Sequence, residues 1–281
     1  MPILSGEARV AGVIGWPVGH SRSPRLHGFW LDRYRIDGAY VPLAVKPEHF
    51  SVTIRGLVAA GFAGVNVTIP HKEAAFAVCD AVGESARKAG AVNTLVFRDG
   101  RIDGANSDIS GFLENLHAHN VDPKAGPALI LGAGGAARAI VVALQQEGVP
   151  LTIANRARDR AEALARDFSG LKVIDWSARD QAIADYALIV NTTALGMEGQ
   201  PNLSLDLSLA SNRAAVADLV YVPLETPLLA AARARGLRTV EGLGMLLHQA
   251  RPGFAAWFGV EPEVDEALYR FVAADLLRSE P

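Results

Sequence analysis

Lys72 lies three residues past the strand-like run Gly64 to Ile69, which carries polar side chains at Asn66 and Thr68 and is stopped by Pro70. Side chains alternate along a strand, so Asn66 and Thr68 share one face. An ammonium group beside them can stabilise negative charge growing on a carbonyl oxygen and donate the proton that discharges it. The chain has only five lysines, and a solvated surface role is the alternative for any one of them. Asp108 is the natural partner, a carboxylate able to hold a lysine in place and pass a proton. Ser21 and Ser23 set two hydroxyls one residue apart where Pro24 opens a helix. Taken singly, each serine reads as a helix cap, and Asn93 and Asn106 read as turn residues. Taken together, these groups suit a small polyhydroxylated acid.

Leu129-Ile130-Leu131-Gly132-Ala133-Gly134-Gly135-Ala136-Ala137 reads as strand, tight turn and helix start. Gly132, Gly134 and Ala137 fill the three small positions of a dinucleotide fingerprint. The first permits the turn, the second admits a pyrophosphate, and the third lets helix and strand pack closely. Unpaired N–H groups at the helix start favour phosphate. No Gly-Lys-Ser/Thr follows, so a mononucleotide phosphate loop is not supported. The next strand ends Ala154-Asn155-Arg156, with Arg160 four residues on and no carboxylate where NAD sites place one. Two guanidiniums can bracket a 2′-phosphate, which favours NADP(H) over NAD(H). Arg156 and Arg160 as plain solvated charges are the competing reading, since 22 of the 27 basic residues are arginine.

The elements that must position these groups alternate between apolar strand-like runs and alanine-rich helical stretches, the mark of an α/β protein with largely parallel sheets. Strands are expected at 10–16, 39–45, 64–69, 128–131, 151–154, 188–191, 215–219 and 239–241, with a hairpin around Asp99-Gly100. The last part reads as three helices, Leu243 to Ala250, Gly253 to Phe258 and Val264 to Leu277. The chain's 281 residues suit about two domains and a core that needs no staple. Half the residues are hydrophobic and the net charge is −3, which excludes disorder as the dominant state and argues against a nucleic-acid binder. A single cysteine, Cys79, favours a reducing compartment and reads as a buried apolar group in the helix after Lys72. With neither a signal peptide nor a membrane span legible, a cytoplasmic protein is expected. His20, His27, His71 and His248 lack metal-ligand spacing and read as packing or hydrogen-bonding residues, so no metal is expected.

Ser21-Arg22-Ser23-Pro24-Arg25-Leu26-His27, Asn66 to Lys72, Ala91-Val92-Asn93-Thr94 and Asn106 to Gly111 resemble the shikimate/quinate dehydrogenase family. So do Gly132 to Ala137, Asn155-Arg156, Asn191 to Met197, Asp218 to Leu229 and Gly242 to Gln249, in the family's order over roughly 10–275. The resemblance implies NADPH-dependent, reversible reduction of 3-dehydroshikimate to shikimate, with Lys72 and Asp108 as the catalytic pair. It places the substrate carboxylate on Ser21, Ser23 and Tyr221, and the ring hydroxyls on Asn66, Thr68, Asn93, Asp108 and Gln249. Asn155, Arg156 and Arg160 match the adenosine-phosphate site. Met197 and Gly242 lie near the nicotinamide, and Leu219 joins the cofactor set. The implied architecture is an α/β substrate-binding domain, 1–107 and 243–281, with a Rossmann-type NADP-binding domain, 108–242, inserted in it and the active site in the interdomain cleft. The partner is thus a small molecule, and the chain is a monomer or homodimer. Quinate-using or dual-specificity relatives often carry Thr at the second serine position, so Ser23 leans toward shikimate. A noncatalytic NADP-binding regulator is the remote alternative, and the presence of Lys72 and Asp108 opposes it.

Overall fold

The computed structural model describes residues 3–274 and 276. Within these, two compact units emerge, one of 3–107 with Gln249–Val272, the other of Asp108–His248 with the described residues from Ala273 on.

The first unit runs β1 (Arg9–Gly15), α1 (Ser23–Arg33), β2 (Gly38–Ala44), α2 (Phe50–Ala59), β3 (Gly64–Val67), α3 (Lys72–Val78), β4 (Ala81–Val82), α4 (Glu84–Ala89), β5 (Thr94–Arg98) and β6 (Arg101–Ala105). Its sheet has the order β2-β1-β3-β5-β6-β4. This sheet is mixed: β1 pairs parallel with β2 and β3, and β4 with β6, while β5 pairs antiparallel with both β3 and β6. The cause is the hairpin: Asp99 and Gly100 both take positive φ (50° and 74°), the paired left-handed conformations that suit a two-residue turn. Ile14, Phe50, Ile54, Val65 and Leu95 close the core beneath this sheet. The returning segment binds α1 through three contacts. Trp30 Nε1 donates to Glu263 O (3.0 Å), Arg25 Nε to Phe271 O (2.7 Å), and Arg33 pairs with Asp265 (2.5 Å).

The second unit continues with α5 (Asp108–Ala118), β7 (Ala128–Leu131), α6 (Gly135–Gln146), β8 (Leu151–Ala154), α7 (Arg158–Asp167), β9 (Lys172–Ile174), α8 (Arg179–Ala182), β10 (Leu188–Asn191), β11 (Ala215–Asp218), α9 (Pro227–Ala234) and β12 (Arg238–Val240). The order β12-β11-β10-β7-β8-β9 is parallel throughout, as a doubly wound sheet should be. Strand order reverses between β7 and β10, so a crevice for ligand opens past the carboxyl ends of those strands.

Two helices complete the chain, α10 (Gly242–Phe258) and α11 (Glu266–Ala273). The break expected before Gly253 does not occur: α10 runs through Pro252. A proline inside a helix costs about 3 kcal/mol. Burial of Leu243, Leu247, Ala250, Phe254 and Trp257 along the same helix offsets that loss. Of the last expected helix, Asp275 and Leu277 lie outside the described residues. Among the described residues no helix is long and apolar enough to cross a membrane.

Candidate functional site

In the first unit, side chains from three strands, β2, β3 and β5, interlock. Tyr40, on β2, donates its hydroxyl to Asn66 Oδ1 at 2.6 Å. Asn66 Nδ2 in turn donates to Asn93 O (3.3 Å) and Thr94 Oγ1 (3.2 Å). Asn93 Oδ1 accepts from Thr94 Oγ1 (3.0 Å), from Ser107 N (2.9 Å) and from Ser107 Oγ (3.2 Å). Asn106 Nδ2 donates to Ala91 O at 3.0 Å. Tyr40, Asn66, Asn93, Thr94 and Ser107 therefore form one largely buried network, and both amide hydrogens of Asn66 are already used. What Asn66 can offer a ligand is the second lone pair of Oδ1, which accepts from a hydroxyl.

Tyr40 and His27 are functional candidates that the sequence reading missed or left as packing. Burial pushes the Tyr40 hydroxyl well up, with Ser23 opposing. The His27 ring stacks on it at 3.9 Å and is fully buried. Burial lowers His27 to about 3, the nearby Asn66 side chain offsetting only part of that, so the ring is an uncharged aromatic plate. Neither of its ring nitrogens has a hydrogen-bond partner among the described residues.

Ser21 Oγ accepts from Ser23 N at 3.3 Å, so one serine folds the turn that presents the other at the start of α1. β3 ends at Val67, so Thr68 lies just beyond the strand, its N–H donating to Ile14 O (2.9 Å). Lys72 is the half-buried first residue of α3, and its carbonyl accepts from Val92 N at 3.0 Å. His71 fixes that helix start, with Nε2 2.8 Å from Val45 O and its ring stacked on Phe50. Cys79 departs from the expectation. It follows the end of α3, is half-buried, donates to Ala75 O, and its thiol is pushed up to about 11, chiefly by burial. Gln249 is half-buried, and its Oε1 is shielded from solvent with no partner among the described residues. A buried carbonyl oxygen of this kind calls for a donor, such as a ligand hydroxyl.

The second unit carries Asp108 as the buried first residue of α5. Gly132 holds φ at 110°, and a Cβ there would lie 2.6 Å from Thr192 Oγ1, so both conformation and space demand glycine. Gly134 and Gly135 face open space instead, room that a phosphate can occupy. No side chain caps α6, whose first N–H groups remain for an anion. Ala133 and Ala136 complete the turn, and Ala137 is fully buried against the sheet. Beyond β8, Asn155 Nδ2 donates to Ala157 O at 2.8 Å, shaping the loop that carries Arg156. Arg158 is committed to Glu162 (2.7 Å) and Asp175 (2.5 Å). The exposed guanidiniums of Arg156 and Arg160 carry no such pair among the described residues. Two unpaired cations past β8 and an uncapped helix start past β7 fit the charge of NADP(H).

Asp218, at the end of β11, is 1% exposed and has no cationic partner among the described residues. Burial pushes its carboxyl up to about 6, against hydrogen bonds from Thr226, Val220 and Asn191. A raised carboxyl binds its proton more tightly folded than unfolded. Its stabilising contribution is therefore complete below about pH 3.8 and lost as pH rises through about 6. Asp218→Asn cannot titrate, so the melting temperature of the variant relative to the parent rises between pH 4 and pH 7. A difference that stays constant over that range contradicts the assignment. Met197 is exposed, Leu219 and Tyr221 are half-buried, and a Cβ on Gly242 would lie 2.4 Å from Leu219 O.

Comparison with known proteins matches residues 13–95 to the shikimate dehydrogenase substrate-binding domain and residues 116–197 to the shikimate/quinate 5-dehydrogenase model. The NADP(+)-dependent shikimate dehydrogenase of Acidiphilium cryptum is 70% identical over 98% of this chain and 99% of its own. The Thermus thermophilus shikimate 5-dehydrogenase structure, in complex with NADP(H) and shikimate, superposes with a TM-score of 0.86 at 38% identity, covering 95% of this chain and 99% of that one. The Corynebacterium glutamicum quinate dehydrogenase, in complex with NAD, gives 0.87 at 30% identity over 96% and 99%. With Asn66 and Asn93 falling in the first matched segment, the glycine turn and the arginine pair in the second, and 70% identity along nearly the whole chain to a relative, this chain belongs to the shikimate dehydrogenase family.

Proposed function

We propose that the chain catalyses the reversible, NADPH-dependent reduction of 3-dehydroshikimate to shikimate. The observation that carries this reading is the 70% identity across 98% of the chain to an NADP(+)-dependent shikimate dehydrogenase. NADPH, when bound, supplies the hydride. The protein must orient the substrate, exclude water and manage one proton. Lys72 stabilises the oxyanion that forms on the reduced carbonyl and donates the proton, solvent returns a proton to its amine, and Asp108 holds the ammonium in place. Ser21, Ser23 and Tyr221 hold the substrate carboxylate. Asn66, Thr68, Asn93, Asp108 and Gln249 hold the ring hydroxyls, the Asn66 and Gln249 carbonyl oxygens acting as acceptors. Residues 132–137 hold the pyrophosphate, Asn155, Arg156 and Arg160 the adenosine phosphate, and Met197, Leu219 and Gly242 the nicotinamide end. The substrate-binding part comprises 1–107 and 243–281 and the cofactor-binding part 108–242. A single, half-buried cysteine suits a cytoplasmic home.

Quinate is the second reading, favoured by the likeness to the quinate dehydrogenase structure. Ser23 in place of a bulkier Thr weighs against it. NADP reduction with shikimate and quinate side by side separates the two. Higher kcat/KM with shikimate supports the proposal, preference for quinate replaces it with the second reading, and turnover of neither overturns both. In the same assay Gln249→Ala raises KM for shikimate by roughly tenfold, the loss of one hydroxyl hydrogen bond. A fall in kcat with KM unchanged would instead assign Gln249 to the transition state.

A further inference from the structure

The carboxylate of Asp218 joins two loops that follow neighbouring strands. Its Oδ1 accepts from Asn191 Nδ2 (2.8 Å) and Val220 N (3.0 Å), and its Oδ2 from Thr226 Oγ1 (2.7 Å). Asn191 extends the link into the loop after β10. Its Nδ2 also donates to Leu195 O (3.1 Å), while its Oδ1 accepts from Thr193 N (3.0 Å) and Thr193 Oγ1 (2.7 Å). Thr193 Oγ1 then accepts from Leu195 N at 3.0 Å, so the run that leads to Met197 is held at both ends of each side chain. On the other side, Val220 and Thr226 bracket Tyr221 and the turn that opens α9. Glu198 N donates to Val222 O (2.8 Å), a second bridge between the same loops. The glycine turn is tied in as well, for Thr192 Oγ1 donates to Leu131 O at 2.8 Å and packs where a Gly132 side chain would be.

We propose that Asp218 is a positioning residue for the nicotinamide half of the cofactor, latching the loop of Met197 to the loop of Leu219 and Tyr221. The proposal rests on the cofactor reading given above. Its physical argument is the choice of group. Every partner is a donor and none is a cation, so the fold keeps a buried carboxylate that a neutral side chain would hold more cheaply. Only a carboxylate offers enough lone pairs to accept from Asn191, Val220 and Thr226 at once. Asparagine keeps the shape but turns an N–H2 toward one of these donors. The loops of Asp218→Asn therefore shift without loss of the core.

The test measures the affinities of the full chain and of Asp218→Asn for NADPH and for 2′,5′-ADP, a probe that reaches only the adenosine-phosphate residues. Expected is a roughly tenfold weaker affinity for NADPH, the scale of one charge-assisted hydrogen bond, with 2′,5′-ADP affinity within about twofold of the parent. Equal weakening of both ligands would make Asp218 a purely structural residue, and unchanged NADPH affinity would leave the latch without effect on the cofactor. Either result overturns the proposal. Thr226→Val and Thr226→Ser serve if Asp218→Asn does not fold: valine should weaken NADPH selectively and serine should restore it, and valine without effect overturns the latch. Failure of the cofactor reading itself is distinguishable, because the parent chain would then bind neither ligand.

Discussion

Lys72→Ala lowers kcat by at least ~100-fold while affinity for shikimate changes by less than ~3-fold. The reasoning starts from charge. Reduction of a ketone places negative charge on the oxygen only as hydride arrives, so an ammonium acting there works in the transition state more than in the ground state. Lys72 is suited to that task by its place. It is the first residue of α3, half-buried, and its backbone is fixed by the bond from Val92 N to its own carbonyl and by the anchored His71 before it. On the proposed reading, binding is distributed over serine hydroxyls and amide groups that the substitution leaves intact. A variant with near-normal turnover would remove Lys72 from the mechanism, and one in which KM alone rises would make it a binding residue.

Replacing both Arg156 and Arg160 by alanine lowers kcat/KM with NADPH by roughly 100-fold and leaves kcat/KM with NADH within ~3-fold. Hydrogen bonds to charged groups contribute about 1.5–3 kcal/mol each, and these sites are exposed, so the lower end applies to each guanidinium. Two such losses make the expected ratio. Arg158 between them is engaged by Glu162 and Asp175, while Arg156 and Arg160 carry no such pair among the described residues, which supports the proposed role. Equal losses with both cofactors would mean that the arginines support the fold or the adenine, not the 2′-phosphate.

The parallel sheet around the glycine turn was legible, apart from its short edge strand β9 (Lys172–Ile174), because its inner strands have local causes: apolar four-residue runs, glycine where φ is positive, a small residue where helix meets strand. The first sheet was less so. A short strand such as β4 (Ala81–Val82) exists only through pairing with β6, which no local pattern announces. The continuity of α10 through Pro252 was hidden for a related reason, since burial along the helix outweighs a local breaking signal. Among site residues, Ser21, Asn66, Lys72 and Asn93 stood out by type and spacing. Tyr40, His27 and Asp218 did not, because a buried tyrosine, histidine or strand-end aspartate looks ordinary until its partners are known. What distinguishes Asp218 is a ring of donors drawn from residues 191, 220 and 226, and only folding brings these together.

The most direct measurement follows the hydride. NADPH deuterated at the transferring position of C4 is incubated with 3-dehydroshikimate and the protein, and the product is examined by mass spectrometry and NMR. Shikimate carrying one deuterium on the newly formed carbinol carbon is the predicted result. Consumption of NADPH without labelled shikimate, or no reaction at all, would contradict it.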